Sequence, residues 1–148
     1  MTTKKKELIV TSALPYANGP LHFGHLLEHI QTDIWVRAQR ILGNHCIYLC
    51  ASDAHGTPIM MKAEEENVPP EKLVDKYMRE HKKTLEAFQV SHDCYYQTHS
   101  EENKKYSELI YNAALKNGFI SKKNIKQLFD EEKKLFLADR YVQGNCPK

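Results

Sequence analysis

His22 and His25 flank Phe23 and Gly24 at the point where turn-forming residues give way to an apolar helical pattern. The preceding Ser12-Ala13-Leu14-Pro15-Tyr16-Ala17-Asn18-Gly19-Pro20 holds the proline, glycine and asparagine that interrupt regular structure. A helix start has unpaired amide donors and the positive end of the helix dipole, so it attracts anions. Imidazoles add donors that titrate near neutral pH, and a glycine lets a ligand approach the backbone. Such a set suits phosphate chemistry. The residues alone also allow a plainer reading, two solvated histidines at the start of a helix.

These residues need a frame. Leu8 to Ala13 reads as a short buried strand that ends where the Pro15 and Gly19 loop begins. From Gly24 onward, Leu27, Ile30, Ile34, Ala38 and Ile41 recur every three or four residues, one face of a helix closed by Gly43. Cys46 to Ala51 forms a second apolar strand that stops at Ser52-Asp53. Strand, helix and strand give a right-handed βαβ unit with parallel strands, and ligands of such sheets sit outside the carboxyl ends of the strands. Leu14 to Tyr16, His22 to His25 and Asp53 are therefore expected to line one crevice.

Further along, Thr57 and Pro58 read as the cap and first turn of a short helix through Ala63, and Val68-Pro69-Pro70 as a connector. Leu73, Tyr77, His81, Leu85 and Phe88 mark another amphipathic helix, and His92 to Gln97 a strand. Thr98 with Glu101 spells a capping box for a helix bearing Leu109, Ile110 and Ala113 and closed by Gly118. After Phe119 the pattern shifts to short pieces, which suggests a small antiparallel unit.

The stretch from Thr11 to His25 resembles the nucleotide-binding signature of the class I aminoacyl-tRNA synthetases, most of all those specific for methionine. Leu27 to Asp33, Ser52 to Ile59, Thr98 to Asn103 and Asp139 to Pro147 are similar to the same family, in its order. A bare His-x-Gly-His is shared with other nucleotidyl transferases, and the string around Asp53 makes the likeness specific. The resemblance implies a Rossmann-like α/β nucleotide-binding fold, with residues 1–118 its first half and 119–148 the start of a connective insertion. It implies a methionine–tRNA ligase that forms methionyl-adenylate from methionine and ATP with Mg2+, then transfers methionine to tRNA(Met). His22 and His25 become the catalytic pair. Tyr16, Asn18, Gly19, His22, Gly24 and His25 would bind ATP, and Ala13, Leu14, Tyr16 and Asp53 methionine, with Asp53 pairing the α-ammonium group. Cys146 would open a zinc knuckle whose other ligands are absent from this sequence.

The family's later half-fold, its Lys-Met-Ser-Lys-Ser loop and its anticodon-binding domain have no counterpart here. The expectation is an amino-terminal fragment, inactive in tRNA charging on its own. The alternatives are a nucleotidyl transferase built on the same His-x-Gly-His site and a non-catalytic segment that binds nucleotide or a partner.

His25-Leu26-Leu27-Glu28-His29 also matches the His-x-x-Glu-His of inverted zinc peptidases. With His25 in the first turn and no third ligand motif, hydrogen bonding within the fold is the stronger reading for Glu28 and His29. His45, His81, His92 and His99 show no ligating spacing, and Lys4 to Lys6 reads as a solvated tail.

At 148 residues the chain has room for one domain, or for one core and an appendage. A formal charge of +2 does not by itself argue for nucleic acid. No run approaches the ~20 apolar residues of a membrane span. Cys46, Cys50, Cys94 and Cys146 show no disulfide framework, and Cys46 and Cys50 read as buried thiols. The amino terminus has no apolar stretch suited to secretion, so a reduced, cytoplasmic setting is expected.

Overall fold

A computed structural model describes residues 5–132 and 134–137. Three parallel strands form the central sheet: β1 (Glu7–Thr11), β2 (His45–Ser52) and β3 (Cys94–Gln97), in the order β1-β2-β3. Glu7 pairs with His45 and Thr11 with Leu49, while Leu49 pairs with Cys94 and Ser52 with Gln97. Helix α1 (Phe23–Ile41) joins β1 to β2, and α2 (Thr57–Glu65) and α3 (Pro70–Ala87) lie between β2 and β3. The expected α/β arrangement is present. No helix among the described residues is long and apolar enough to cross a membrane.

The sheet buries one face of β2: Cys46, Tyr48, Cys50 and Ser52 alternate with more exposed residues. Tyr48 and Cys46 pack with Val36 of α1 and with Leu85 and Val90, and Leu8 and Val10 of β1 add to that cluster. A second cluster joins α2 and α3 through Ile59, Ala63, Leu73, Val74 and Tyr77, with Ala17 and Ala54. Ala17 and Ala54 border the candidate site, so the loop after β1 is held by packing as well as by hydrogen bonds.

The buried face of α1 differs from the one expected. Ile34 is 62% exposed and Ile41 85%, and Leu27 is half exposed. His29, Asp33 and Val36 are buried instead, with Leu26 and Ile30 packed alongside. Hydropathy periodicity counts only apolar residues, and here two of the buried positions are polar: Asp33, and His29, whose Nδ1 is bonded to Ser12 Oγ. Asp33 accepts from Ser91 and from Arg37, the latter at 2.6 Å. Gly43 does follow the C-cap, at φ +84°, a left-handed conformation that glycine adopts without strain.

Two helix starts also depart from expectation. Gly56, not Thr57, is the N-cap residue of α2, and Thr57 is already helical. In α4 (Glu101–Lys116) the first-turn amide of Asn103 donates to Ser100 Oγ at 3.1 Å, so Ser100 caps the helix. Thr98 is engaged elsewhere, as described below.

The chain divides into two compact units between Lys104 and Lys105. In the second, Phe129–Asp130 (β4) and Leu135–Phe136 (β5) pair antiparallel, with Phe129 opposite Phe136 and their rings edge-on at 4.9 Å. The sequence expectations for Cys146 and for Asp139 to Pro147 lie outside the described residues.

Candidate functional site

His22 is the N-cap residue of α1, in an extended conformation at φ −104° and ψ 174°. Its Nδ1 accepts the amide of Gly24 at 3.1 Å, and His25 Nδ1 accepts the amide of His22 at 3.3 Å. This is a capping box built from two imidazoles, and it brings the rings into a stack 3.7 Å apart. Because both Nδ1 atoms are acceptors, each ring in its neutral form carries its proton on Nε2. Backbone contacts thus leave both histidines as Nε2 donors. Burial first, and the like charge of His22 and His81 next, lower the pKa of His25, while Glu28 opposes the shift.

Gly24 has a local steric role here. A Cβ on it would come within 3.1 Å of the His22 ring, so a side chain would press on the capping imidazole. The first turn of α1 contains no acidic residue. An anion at this helix start therefore meets amides and imidazoles with no opposing carboxylate in that turn.

The other end of the signature loop is zipped onto the end of β2. Asp53 donates its amide to Pro15 O at 2.8 Å, and Ala17 donates to Asp53 O at 2.8 Å. These bonds form an isolated parallel bridge between Tyr16 and Asp53, so two residues far apart in sequence become neighbours. The Tyr16 hydroxyl donates to His55 O. Gly56 makes that placement possible: it sits at φ +117°, and a Cβ there would collide with the Tyr16 hydroxyl.

Thr98 holds this end from the third strand. Its amide donates to Ser52 O at 3.0 Å, which extends the β2–β3 pairing, and its Oγ1 accepts the Ala54 amide at 2.9 Å. The hydroxyl proton then faces Asp53 Oδ1 at 3.5 Å and His55 Nδ1 at 3.4 Å. Asp53 is half-buried, while Ala13 and Leu14 are exposed on the loop.

Two buried networks support the loop from beneath. His81 on α3, 1% exposed, donates from Nε2 to Gly19 O at 2.7 Å, since a carbonyl can only accept. That fixes Nδ1 as acceptor from Ser52 Oγ at 3.0 Å, and Ser52 in turn accepts from the Tyr95 hydroxyl at 2.9 Å. Burial lowers the His81 pKa, against the Gly19 hydrogen bond, which favours the protonated ring. At the start of the loop, Glu28 accepts the Ala13 amide at 2.5 Å, and Ser12 Oγ bonds His29 Nδ1 and the Tyr48 hydroxyl, both at 3.0 Å.

His25, Glu28 and His29 therefore hold three different backbone or hydroxyl partners and do not converge as a peptidase ligand set. His81, Thr98 and Gly56 were the positions the sequence left unassigned to the site. His81 looked like one more member of an amphipathic stripe and Thr98 like a helix cap. The signals available were the closeness of Thr98 to the end of β3 and the family likeness of the stretches that hold Gly56 and Thr98.

A family model described as tRNA synthetases class I (M) matches residues 8–148. Among solved structures, the Mycobacterium tuberculosis methionyl-tRNA synthetase in complex with methionyl-adenylate is 25% identical, with a TM-score of 0.81 over 93% of this chain and 27% of that one. The ternary complex of Agrobacterium radiobacter K84 agnB2 LeuRS with tRNA and LeuAMS has a TM-score of 0.79 at 19% identity, over 96% of this chain and 18% of that one. At that identity the likeness shows the fold alone. The chain spans about a quarter or less of the length of either protein.

Proposed function

The chain belongs to the class I tRNA synthetases, and from that premise we propose that it supplies methionine- and ATP-binding residues to a methionine–tRNA ligase. The observation that carries the reading is the Tyr16–Asp53 bridge, on the same loop that ends at the stacked His22 and His25. The loop thus presents an aromatic ring beside the Asp53 carboxylate of the β2 end at one end and two imidazole donors at the other. An amino acid and a triphosphate call for those chemistries. The likeness to a methionyl enzyme that binds methionyl-adenylate favours methionine over leucine.

In the first step a methionine carboxylate oxygen attacks the α-phosphorus of ATP. The bond to the bridging oxygen breaks, and pyrophosphate leaves with the electron pair. Charge builds on the phosphate oxygens, and the Nε2 donors of His22 and His25 lie at the helix start to meet it, already oriented by the capping bonds. Asp53 pairs the α-ammonium group by a charge-assisted bond. Tyr16 with Leu14 and Ala13 borders the thioether side chain, a contact favourable to sulfur and aromatic rings alike. Asn18, Gly19 and Gly24 border the nucleotide. In the second step a terminal ribose hydroxyl of the tRNA attacks the adenylate carbonyl and AMP departs. No covalent enzyme intermediate is required, so positioning and electrostatics carry the reaction.

The magnesium that accompanies ATP has no carboxylate to bind in the first turn of α1. Cys146 keeps its proposed part in a zinc knuckle, a site that takes four ligands.

The test is direct binding of non-hydrolysable methionyl- and leucyl-adenylate analogues, measured by calorimetry. Preference for the methionyl compound supports the reading. Equal affinity, or preference for the leucyl compound, contradicts it.

A further inference from the structure

Behind the signature loop, three side chains from three elements converge without any role in the chemistry proposed above. They are His29 on α1, Cys50 on β2 and His92 on the approach to β3, and their ligating atoms all lie within 4.8 Å of one another. His29 and Cys50 are buried, at 1% and 7% exposure, and His92 is half-buried. His29 Nε2 and His92 Nε2 are both buried without any hydrogen-bond partner. A buried imidazole nitrogen with no partner carries a desolvation cost that native folds rarely leave unmet, and here two share one space with a thiol. We propose that His29, Cys50 and His92 form a binding site for a borderline-to-soft d10 cation, zinc(II) or copper(I).

The donor set fits that class. Two imidazoles and a thiolate are ligands of zinc and copper, whereas magnesium and calcium take oxygen. In a tetrahedral zinc site the ligand atoms stand roughly 3.5 Å apart, given bonds of about 2.0–2.3 Å, so adjustments on the order of 1 Å would close this set around an ion. Three protein ligands leave a fourth position for water.

The surroundings are arranged as a ligand shell requires. His29 Nδ1 is engaged by Ser12 Oγ, which leaves Nε2 as the free coordinating atom and fixes the ring orientation. Ser12 Oγ also lies 3.5 Å from Cys50 Sγ, placed to donate to a thiolate. His92 is clamped on both sides. Ser91 donates its amide to Asp33 at 2.8 Å, and Asp93 accepts from the Tyr48 amide and from Arg40, each at 2.6 Å. An opening of about 340 Å³ lined by Leu85, Val90, His92, Cys94 and Tyr95 gives an ion a path to His92.

The protonation states agree with this use. Burial lowers the pKa of His29, and burial with the like charge of His29 holds His92 at about 4, so both are neutral ligands at pH 7. Burial raises the Cys50 thiol, so the cation must displace its proton to solvent as the sulfur–metal bond forms. No oxidant or other reactant enters. The proposal does not rest on the synthetase reading, since none of the three ligands touches the proposed substrates.

Cobalt(II) is the probe, titrated into the chelator-treated 148-residue chain with Cys94 and Cys146 replaced by serine to silence the other candidate thiols. The expected result is one equivalent bound, with thiolate-to-cobalt charge-transfer absorption and tetrahedral d–d bands. Zinc(II) and copper(I) should each displace it, and their relative potency identifies the preferred ion. Cys50→Ser should abolish the charge-transfer band. His92→Gln, at a half-buried position that a flexible polar side chain of similar reach can occupy, should weaken binding at least tenfold while circular dichroism stays unchanged. Absence of the band in the parent chain overturns the proposal, as does a folded His92→Gln chain with unchanged cobalt affinity.

Discussion

The two ends of the signature loop are built by opposite means. At the His22–His25 end every positioning bond is local, made within two or three residues along the chain. At the Tyr16–Asp53 end the bonds join residues about forty apart: Tyr16 to His55, Pro15 to Asp53, Ala54 to Thr98. A local cap forms whenever its helix forms, whereas the distal end exists only when three strands are assembled. The imidazole pair is thus robust and self-contained, and the carboxylate end depends on the whole sheet.

The sharpest way to break the local end is His25→Ala. It should slow adenylate formation about 10²–10³-fold, the usual cost of one preorganised donor to developing charge, with methionine affinity close to unchanged. Single-turnover kinetics in an adenylation-competent form check it. A normal rate with a raised methionine requirement would move His25 to substrate binding.

Acid acts on the buried supports and on His25 of the cap alike. His25, His29, His81 and His92 all have pKa values depressed by burial, so the unfolded chain binds protons before the folded one. Their stabilising effect is present above the unfolded value of about 6.5 and is lost as pH falls through the folded values, down to about 4 for His92. Urea midpoints measured with chelator present should therefore fall steadily from pH 6.5 to 4, by about 1.4 kcal/mol per unit of displacement at most for each group. A flat profile would contradict the neutral assignment of these histidines.

Gly56→Ala should destabilise the chain by about 2–3 kcal/mol, combining a left-handed backbone with the collision against Tyr16. The cap at His22 should remain intact, as judged by the imidazole resonances of His22 and His25. Thr98→Val is milder. It leaves the buried Ala54 amide without an acceptor and removes the hydroxyl facing Asp53, for about 1–2 kcal/mol in urea unfolding.

The same contrast explains what could be read from the sequence. Strand, helix and turn positions around His22 to His25 follow from local rules, and β1, α1 and β2 lie where turn formers and apolar runs place them. The face of α1 was misread because Asp33 and His29 are buried through partners at Ser91 and Ser12, which periodicity cannot see. Thr98 was misread for a related reason. Threonine three residues before glutamate is the local signal for a capping box, but the Ala54 amide, supplied by another strand, outcompetes the helix for its hydroxyl. That Asp53 and Tyr16 line one crevice follows from parallel topology and from the family resemblance, whereas the hydrogen-bonded bridge between them needed the folded chain. His81 as a clamp on Gly19, and the convergence of His29, Cys50 and His92, needed the folded chain.

The Tyr16–Asp53 bridge fixes the backbone beside the carboxylate proposed to hold an amino acid's ammonium group. The most direct test measures the affinity of methionine and of its amine-lacking analogue, by calorimetry, for the parent chain and for Asp53→Asn. The parent should prefer methionine by about 10–150-fold, the worth of one charge-assisted bond of about 1.5–3 kcal/mol, and Asp53→Asn should erase most of that preference with ATP affinity retained. Equal discrimination before and after the substitution would contradict it.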